Sequence, residues 1–267
     1  MDLGLLNKLS GPGFSIDVDD EVLIFRFDES VFDSLVDLDK RESYFQVMDA
    51  IDDDPDIKVV LSFFEPGCLD DESYARYLRK IFGADIDLKE IGGSAVLRGN
   101  IDRFRQLYFH YYTVKRRIAS NKIIIDGLRG SVVTPFFGET LSADLRFSSD
   151  DMRFSLAHKK YGLGPSGALA FFLPRYVGQG KAMELLLTVD YIDAEQALEL
   201  GLINQIIPAH DFESRCVALG KEASKLSVST IKSTKLLSSS YMRELDNYLE
   251  AELTLMSQSS RFPSFAR

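Results

Sequence analysis

No tryptophan occurs in these 267 residues, and cysteine appears only twice and histidine three times. Cys68 and Cys216 stand apart with no CxxC pair, which argues against a disulfide framework or a zinc site, so no metal is expected. Long apolar runs are also missing. None approaches the ~18 residues of a membrane span, and the opening MDLGLLNKLSGPG lacks the apolar core of a signal peptide. The expectation is a reducing, cytoplasmic location with no membrane partner. Cations are in deficit, 31 Lys and Arg against 41 Asp and Glu, giving a net charge of -10 and a pI near 4.9. Such a surface argues against non-specific nucleic-acid binding, which needs lysine and arginine to displace counterions. It still admits an anionic ligand, because a phosphate responds to a local basic patch rather than to net charge.

What is present suits a soluble globular chain: 45% hydrophobic and 27% charged residues, enough for one α/β domain or one domain with a helical appendage. Alternation at Phe14, Ile16 and Val18, followed by VLIFRF, predicts a hairpin over Phe14 to Phe27. Asp33 to Ile51 has helical spacing, with Leu35, Leu38, Phe45, Met48 and Ile51 inward. KVVLSFF (Lys58 to Phe64) reads as a strand covered on both faces, ended by the turn Glu65-Pro66-Gly67. Helices are expected over Asp71 to Phe82, Ile101 to Ala119, Lys181 to Val189, Ala194 to Gly201, Asp211 to Leu226 and Ser229 to Gln258. Short strands are expected at Ile123 to Ile125, Asp144 to Ser148 and Phe154 to Leu156, with a loop around Gly92-Gly93. Strands separated by helices imply right-handed β-α-β crossovers.

Four segments carry a more specific pattern: KIIIDGLRG (Lys122 to Gly130), GETLSADLRFSS (Gly138 to Ser149), LPRYVG (Leu173 to Gly178) and ELLLTVDYIDAEQALELGLINQIIP (Glu184 to Pro208). In this order they resemble the crotonase, or enoyl-CoA hydratase/isomerase, superfamily, the last segment most closely. The resemblance implies the crotonase fold, an α/β spiral of repeated ββα units. It implies a spiral core over residues 1–200 and a C-terminal helical trimerisation region over 201–267. It further implies a homotrimer or a hexamer (a dimer of trimers), with CoA, an acyl-CoA or a carrier-bound acyl thioester as small-molecule ligand and no resident cofactor. The N-terminal half departs from the pattern, with FDESVFDSL (Phe27 to Leu35) where the family has P-x-x-x-N-A-L.

Hydrating an enoyl thioester requires two backbone amides for the developing enolate oxygen and carboxylates that move protons. Setting Gly130 and Asp144 on the two ends of the family's glycine-rich turn places Pro135 at the amide donor and Gly138 at the first glutamate. Proline has no N–H to give. Glu139 comes one residue late, and two readings stay open. A local bulge brings it into place with Phe136 or Phe137 offering the amide, or it is a solvated first-turn carboxylate favoured by the helix dipole. The same two phenylalanines fall where an acyl group passes and are the expected substrate contacts. Phe154, Pro165 and Leu173-Pro174-Arg175 anchor a second pattern that puts His158 at the other glutamate. Histidine can act as a base near neutral pH, although Lys159 and Lys160 would lower its pKa or mark a surface turn. The other oxyanion amide is expected near Leu69 or Asp70.

Several further features have bland readings beside functional ones. GADIDLKE (Gly83 to Glu90) echoes a family stretch but follows a helix, and reads as coincidence. Gly162 to Gly167 lacks the G-K-[ST] ending of a P-loop. Cys68 reads as a small buried residue rather than a nucleophile. Tyr108, His110, Tyr111 and Tyr112 read as packing on one helix. Lys232 and Lys235 read either as CoA-phosphate contacts or as a solvated face. Two functions follow: a divergent lyase- or isomerase-like enzyme outside standard two-glutamate hydration, or an inactive crotonase-fold scaffold serving as a thioester sensor or partner protein.

Overall fold

The computed structural model describes residue 10 and residues 13–93 and 100–257. It opens with β1 (Phe14–Asp19) and β2 (Val22–Phe27), an antiparallel hairpin in which Phe14 pairs with Phe27. A single turn, α1 (Val31–Ser34), and the longer α2 (Leu38–Asp53) lead to β3 (Val59–Phe64). Then come α3 (Asp71–Phe82), α4 (Ile101–Ala119), β4 (Ile123–Leu128), β5 (Ser131–Val133) and the short α5 (Phe136–Thr140). After these lie β6 (Leu145–Ser149), β7 (Arg153–Ser155), a 3-10 turn at Ala157–Tyr161, α6 (Leu169–Val177) and α7 (Gln179–Thr188). The described chain closes with β8 (Tyr191–Asp193), α8 (Ala194–Glu199), β9 (Gln205–Ile207), α9 (Phe212–Ala223), α10 (Val228–Ser238) and α11 (Met242–Ser257).

Six strands form one sheet in the order β1-β2-β3-β4-β6-β9, and β5-β7-β8 form a smaller one. Beyond the first hairpin the large sheet is parallel throughout. Side chains alternate across a strand, and here each face meets its own core. Leu23, Phe25, Val60, Phe64 and Ile124 enter the larger apolar cluster, with Tyr44, Val47, Met48 and Ile51 of α2 and Val114 of α4. Val22, Ile24, Leu61, Phe63 and Ile125 enter the other, capped by Phe212 and Cys216 of α9 and Ile231 of α10. Every residue of β3 is buried, Ser62 included, as the largely apolar run KVVLSFF suggests.

The bounds of α3 and α4 match the sequence expectation because each starts on a strong N-cap. Asp70 accepts from Ser73 N at 2.8 Å and Asn100 from Arg103 N at 2.9 Å. Two long helices expected from periodicity are each broken in two. Asp37 accepts from Asp39 N and Lys40 N and restarts the first as α2, whose inward residues become Tyr44, Val47, Met48 and Ile51. Leu38, expected inward, is 48% exposed, and Phe45 is only half-buried. The second break falls at the serine cluster Ser238 to Ser240, whose hydroxyls compete for backbone partners. The expected end at Gln258 lies outside the described residues. Among the described residues no helix is long and apolar enough to cross a membrane.

Candidate functional site

Helix α5 begins after a cis Thr134-Pro135 peptide and packs against the loop that enters α6. The approach is very close. A Cβ on Gly138 would lie 2.4 Å from Gly167 O and 2.7 Å from Leu169 N, and a Cβ on Gly167 would lie 2.1 Å from Pro135 O. Only glycine permits two backbones to meet this way, and Gly167 also adopts a left-handed φ of +77°. Glu252 of α11 fastens the loop from behind. Its carboxylate accepts from Gly167 N at 2.8 Å and Ala168 N at 3.0 Å. Position 138 therefore holds no side chain because a tethered carbonyl fills the space.

One residue on, Glu139 is turned about 100° round the helix. It is not a solvated first-turn carboxylate. It is buried and faces α4, with Oε2 2.5 Å from His110 Nδ1 and Oε1 3.6 Å from Arg117 Nη1. Arg117 Nη2 in turn lies 2.5 Å from Oδ2 of Asp126 on β4. His110 and Arg117 sit two turns apart on one face of α4, so Glu139 reaches both. One hydrogen bond joins His110 Nδ1 and Glu139 Oε2, and the Arg117 guanidinium lies between the Glu139 and Asp126 carboxyl groups. Burial pushes the Asp126 carboxyl up, and the Arg117 charge pulls it back. On balance the Asp126 carboxyl stays above its ordinary range, while Asp126 and Glu139 hold the Arg117 cation above its own against burial.

A cavity of about 20 Å³ lies beside this cluster, with Tyr44, Phe64, Phe136, Arg117 and Glu139 in its wall. That is space for one ordered water, too little for an acyl chain. Phe136 meets the His110 ring edge-on at 5.1 Å and also contacts Phe32 at 5.4 Å. Phe137, expected against substrate, instead stacks on Phe154 at 4.0 Å and is wholly buried. Leu69 O accepts from Val133 N at 2.9 Å, which brings the end of the β3 turn to the strand leading into Phe136. The Asp70 amide is partly engaged by Gly67 O at 3.4 Å, while its carboxylate caps α3.

His158 lies elsewhere. It is buried in the 3-10 turn after β7, and its Nε2 donates to Leu186 O of α7 at 3.2 Å rather than meeting Glu139. Burial pushes its pKa down from 6.5 to about 4, with Lys159 adding to the effect and the Leu186 carbonyl opposing it. The lysines mark no surface turn around the imidazole: Lys159 binds Val189 O and Asp190, and Lys160 binds Asp71 and the Tyr191 hydroxyl. A histidine held neutral in the fold binds fewer protons than the unfolded chain below pH 6.5, so its contribution to stability is lost as pH falls toward 4. At 1.36 kcal/mol per unit this amounts to about 3 kcal/mol. Urea unfolding at pH 7 and pH 4 is therefore expected to show a loss about 3 kcal/mol larger for the parent than for His158→Gln. Equal losses would remove this account of His158.

Three members of the charged cluster were not expected from sequence: His110, Arg117 and Asp126. His110 belongs to the ion cluster rather than to the neighbouring tyrosines, of which Tyr108 and Tyr112 bond each other on the outer side of α4. The available signal was spacing. Arg103, Gln106, His110, Thr113 and Arg117 recur at intervals of three and four, a stripe that all proves buried. Lys235 is also committed internally, to Asp144 at 2.5 Å and Arg117 O at 3.2 Å, and so does not reach toward a CoA phosphate. Burial pushes the Cys68 thiol up to about 12, so it is inert at neutral pH.

The paired sheets, the glycine-dependent entry to α5 and the helical C-terminal region describe an α/β spiral built from ββα units. The model of the enoyl-CoA hydratase/isomerase family matches residues 76–263, and the chain belongs to that family. Its fold is the crotonase fold. The crystal structure of enoyl-CoA hydratase from Bacillus halodurans superposes with a TM-score of 0.74 at 22% identity, over 92% of this chain and 96% of that one. An enoyl-CoA hydratase from Mycobacterium avium subsp. paratuberculosis K-10 gives 0.69 at 21%, over 95% and 92%. Among curated proteins, 4-chlorobenzoyl coenzyme A dehalogenase-1 of Arthrobacter sp is 29% identical over 144 residues, 53% of this chain and 51% of its own length. A probable enoyl-CoA hydratase of Bacillus subtilis is 29% identical over 125 residues, 47% of each. The chain thus spans about half the length of the curated relatives it matches.

Proposed function

We propose that the protein binds an acyl-CoA thioester and that Glu139, oriented by His110 and Arg117, is its proton-transfer group. The observation that carries this reading is the buried Glu139 carboxylate, 2.5 Å from His110 Nδ1 on the first turn of α5. The names of the relatives point to the ligand class: a chlorobenzoyl-CoA and an enoyl-CoA differ in acyl group and share the CoA thioester. A cleft of about 290 Å³ lies along α3 with Arg76 and Lys80 at its border. Lys80 is paired with Asp33 at 2.7 Å and the Phe32 and Tyr77 rings are buried, so the acyl-CoA reading does not rest on this cleft. The Glu139 carboxylate removes or returns a proton next to the thioester, while an amide near Leu69 or Phe136 meets the enolate oxygen. Gly138 and His158 stand where the family pattern has glutamates, so hydration by two glutamates is not the reaction proposed.

The second reading is a binding scaffold without turnover, and the 20 Å³ size of the cavity beside Glu139 favours it. Titrating crotonyl-CoA and CoA by calorimetry while following enoyl absorbance separates the two. Heat with absorbance change, the latter falling at least 100-fold in Glu139→Gln, is the expected result. Heat without absorbance change assigns the scaffold, and neither signal removes both readings for that ligand. A homotrimer belongs to the same proposal, supported by Leu236 and Leu237 of α10, 76% and 78% exposed.

A further inference from the structure

The inward stripe of α4 extends beyond the residues used above. At its start Arg103 is wholly buried, at 0% exposure. Its Nη1 donates to Gln106 Oε1 at 2.6 Å, but among the described residues nothing accepts from Nε or Nη2. Gln106 Nε2 and the Tyr77 hydroxyl are also buried without a partner among the described residues. Tyr77 is an electrostatic neighbour of Arg103, and its ring lines the cleft bordered by Arg76 and Lys80. A guanidinium cannot shed its charge by losing a proton, and a cation left bare in the interior carries a heavy desolvation cost. The unused atoms are also specific. Nε and Nη2 form one edge of the planar fork, which matches the two oxygens of a carboxylate. The nearby groups, an amide nitrogen and a phenol, both donate.

We propose that Arg103, Gln106 and Tyr77 form a binding site for a carboxylate. Its source is either a free small carboxylate or the far end of a dicarboxylic acyl thioester, and the latter rests on the acyl-CoA reading above. Arg103 precedes His110 by seven residues, so the two lie about 10 Å apart along α4, on the order of the length of a short dicarboxylic acyl chain.

The test uses the whole chain with glutarate, glutaryl-CoA and butyryl-CoA, read by thermal unfolding and calorimetry. Glutarate is expected to raise the unfolding midpoint of the parent protein in a concentration-dependent way, because it binds the folded state. Arg103→Met should lose that response while melting no lower than the parent in glutarate-free buffer, since methionine fills similar volume without a buried charge. Glutaryl-CoA should bind at least 10-fold tighter than butyryl-CoA, and the preference should fall below twofold in Arg103→Met. Gln106→Leu, expected to weaken glutarate several-fold, keeps the test intact if the arginine variant fails to fold. No glutarate response in the parent, or an equal response in Arg103→Met, overturns the site. Glutarate binding with neither thioester bound leaves the site standing and removes the acyl-CoA reading. Equal binding of both thioesters without a glutarate response does the reverse.

Discussion

Asp126→Ala is expected to cost about 3 kcal/mol of stability, the lower end of the 3–5 kcal/mol range for stripping one partner from a buried ion pair. The carboxylate is fully buried and Arg117 is 5% exposed in its side chain, so water does not replace the lost charge. Most of the loss is the cost of a buried guanidinium left without its nearest counter-charge. Glu139 remains as a counterion at 3.6 Å, which keeps the loss toward the low end, whereas the Asp126 contact is 2.5 Å. Removing both charges with Asp126→Leu and Arg117→Met should recover much of the loss, because a well-packed apolar pair has no desolvation cost to offset. Urea unfolding with linear extrapolation measures all three proteins. A loss under 1 kcal/mol for Asp126→Ala would mean that Glu139 alone is a sufficient counterion for Arg117.

What could be read from sequence divides along physical lines. Strand β3 was legible because five of its six residues are apolar with no alternation, which suits a doubly covered position. Helices α3 and α4 were legible because Asp70 and Asn100 cap them. The breaks at Asp37 and Ser239 were not: hydrophobic period runs through them, and only a side chain turning back on the backbone ends the helix. At the site, Glu139 stood out in the sequence as a carboxylate one residue late, but its buried environment was not legible. Its partners lie on α4, where the adjacent tyrosines suggested packing and drew attention from the polar stripe that includes His110. The surroundings of His158 were not legible, because a fit to a motif does not say that Leu186 O will hold its imidazole. The glycine at 138 read as a missing glutamate. Its reason, the carbonyl of Gly167, belongs to another loop and is invisible in local sequence.

That contact gives the other large expected effect. Placing at 138 the glutamate that the sequence resemblance implies, Gly138→Glu, is expected to destabilise by about 3 kcal/mol or more. The obstruction is backbone on every side: Gly167 O at 2.4 Å, Leu169 N at 2.7 Å and Gly167 C at 2.9 Å from the new Cβ. Gly138→Ala should already incur most of the loss, since the clash begins at Cβ. The sign alone is diagnostic there, because alanine in place of glycine inside a helix ordinarily stabilises by up to about 1 kcal/mol. The loop cannot simply withdraw while Glu252 holds its two amides at 2.8 and 3.0 Å. In a Glu252→Ala background the further cost of Gly138→Ala should therefore be smaller by about 1 kcal/mol, a coupling that a double-mutant cycle in urea reads directly. Additive losses would show that the loop is held by its own turn geometry, and a stable Gly138→Ala would show that it yields. The three proteins together decide whether position 138 lost its side chain to a loop fixed from the C-terminal helix.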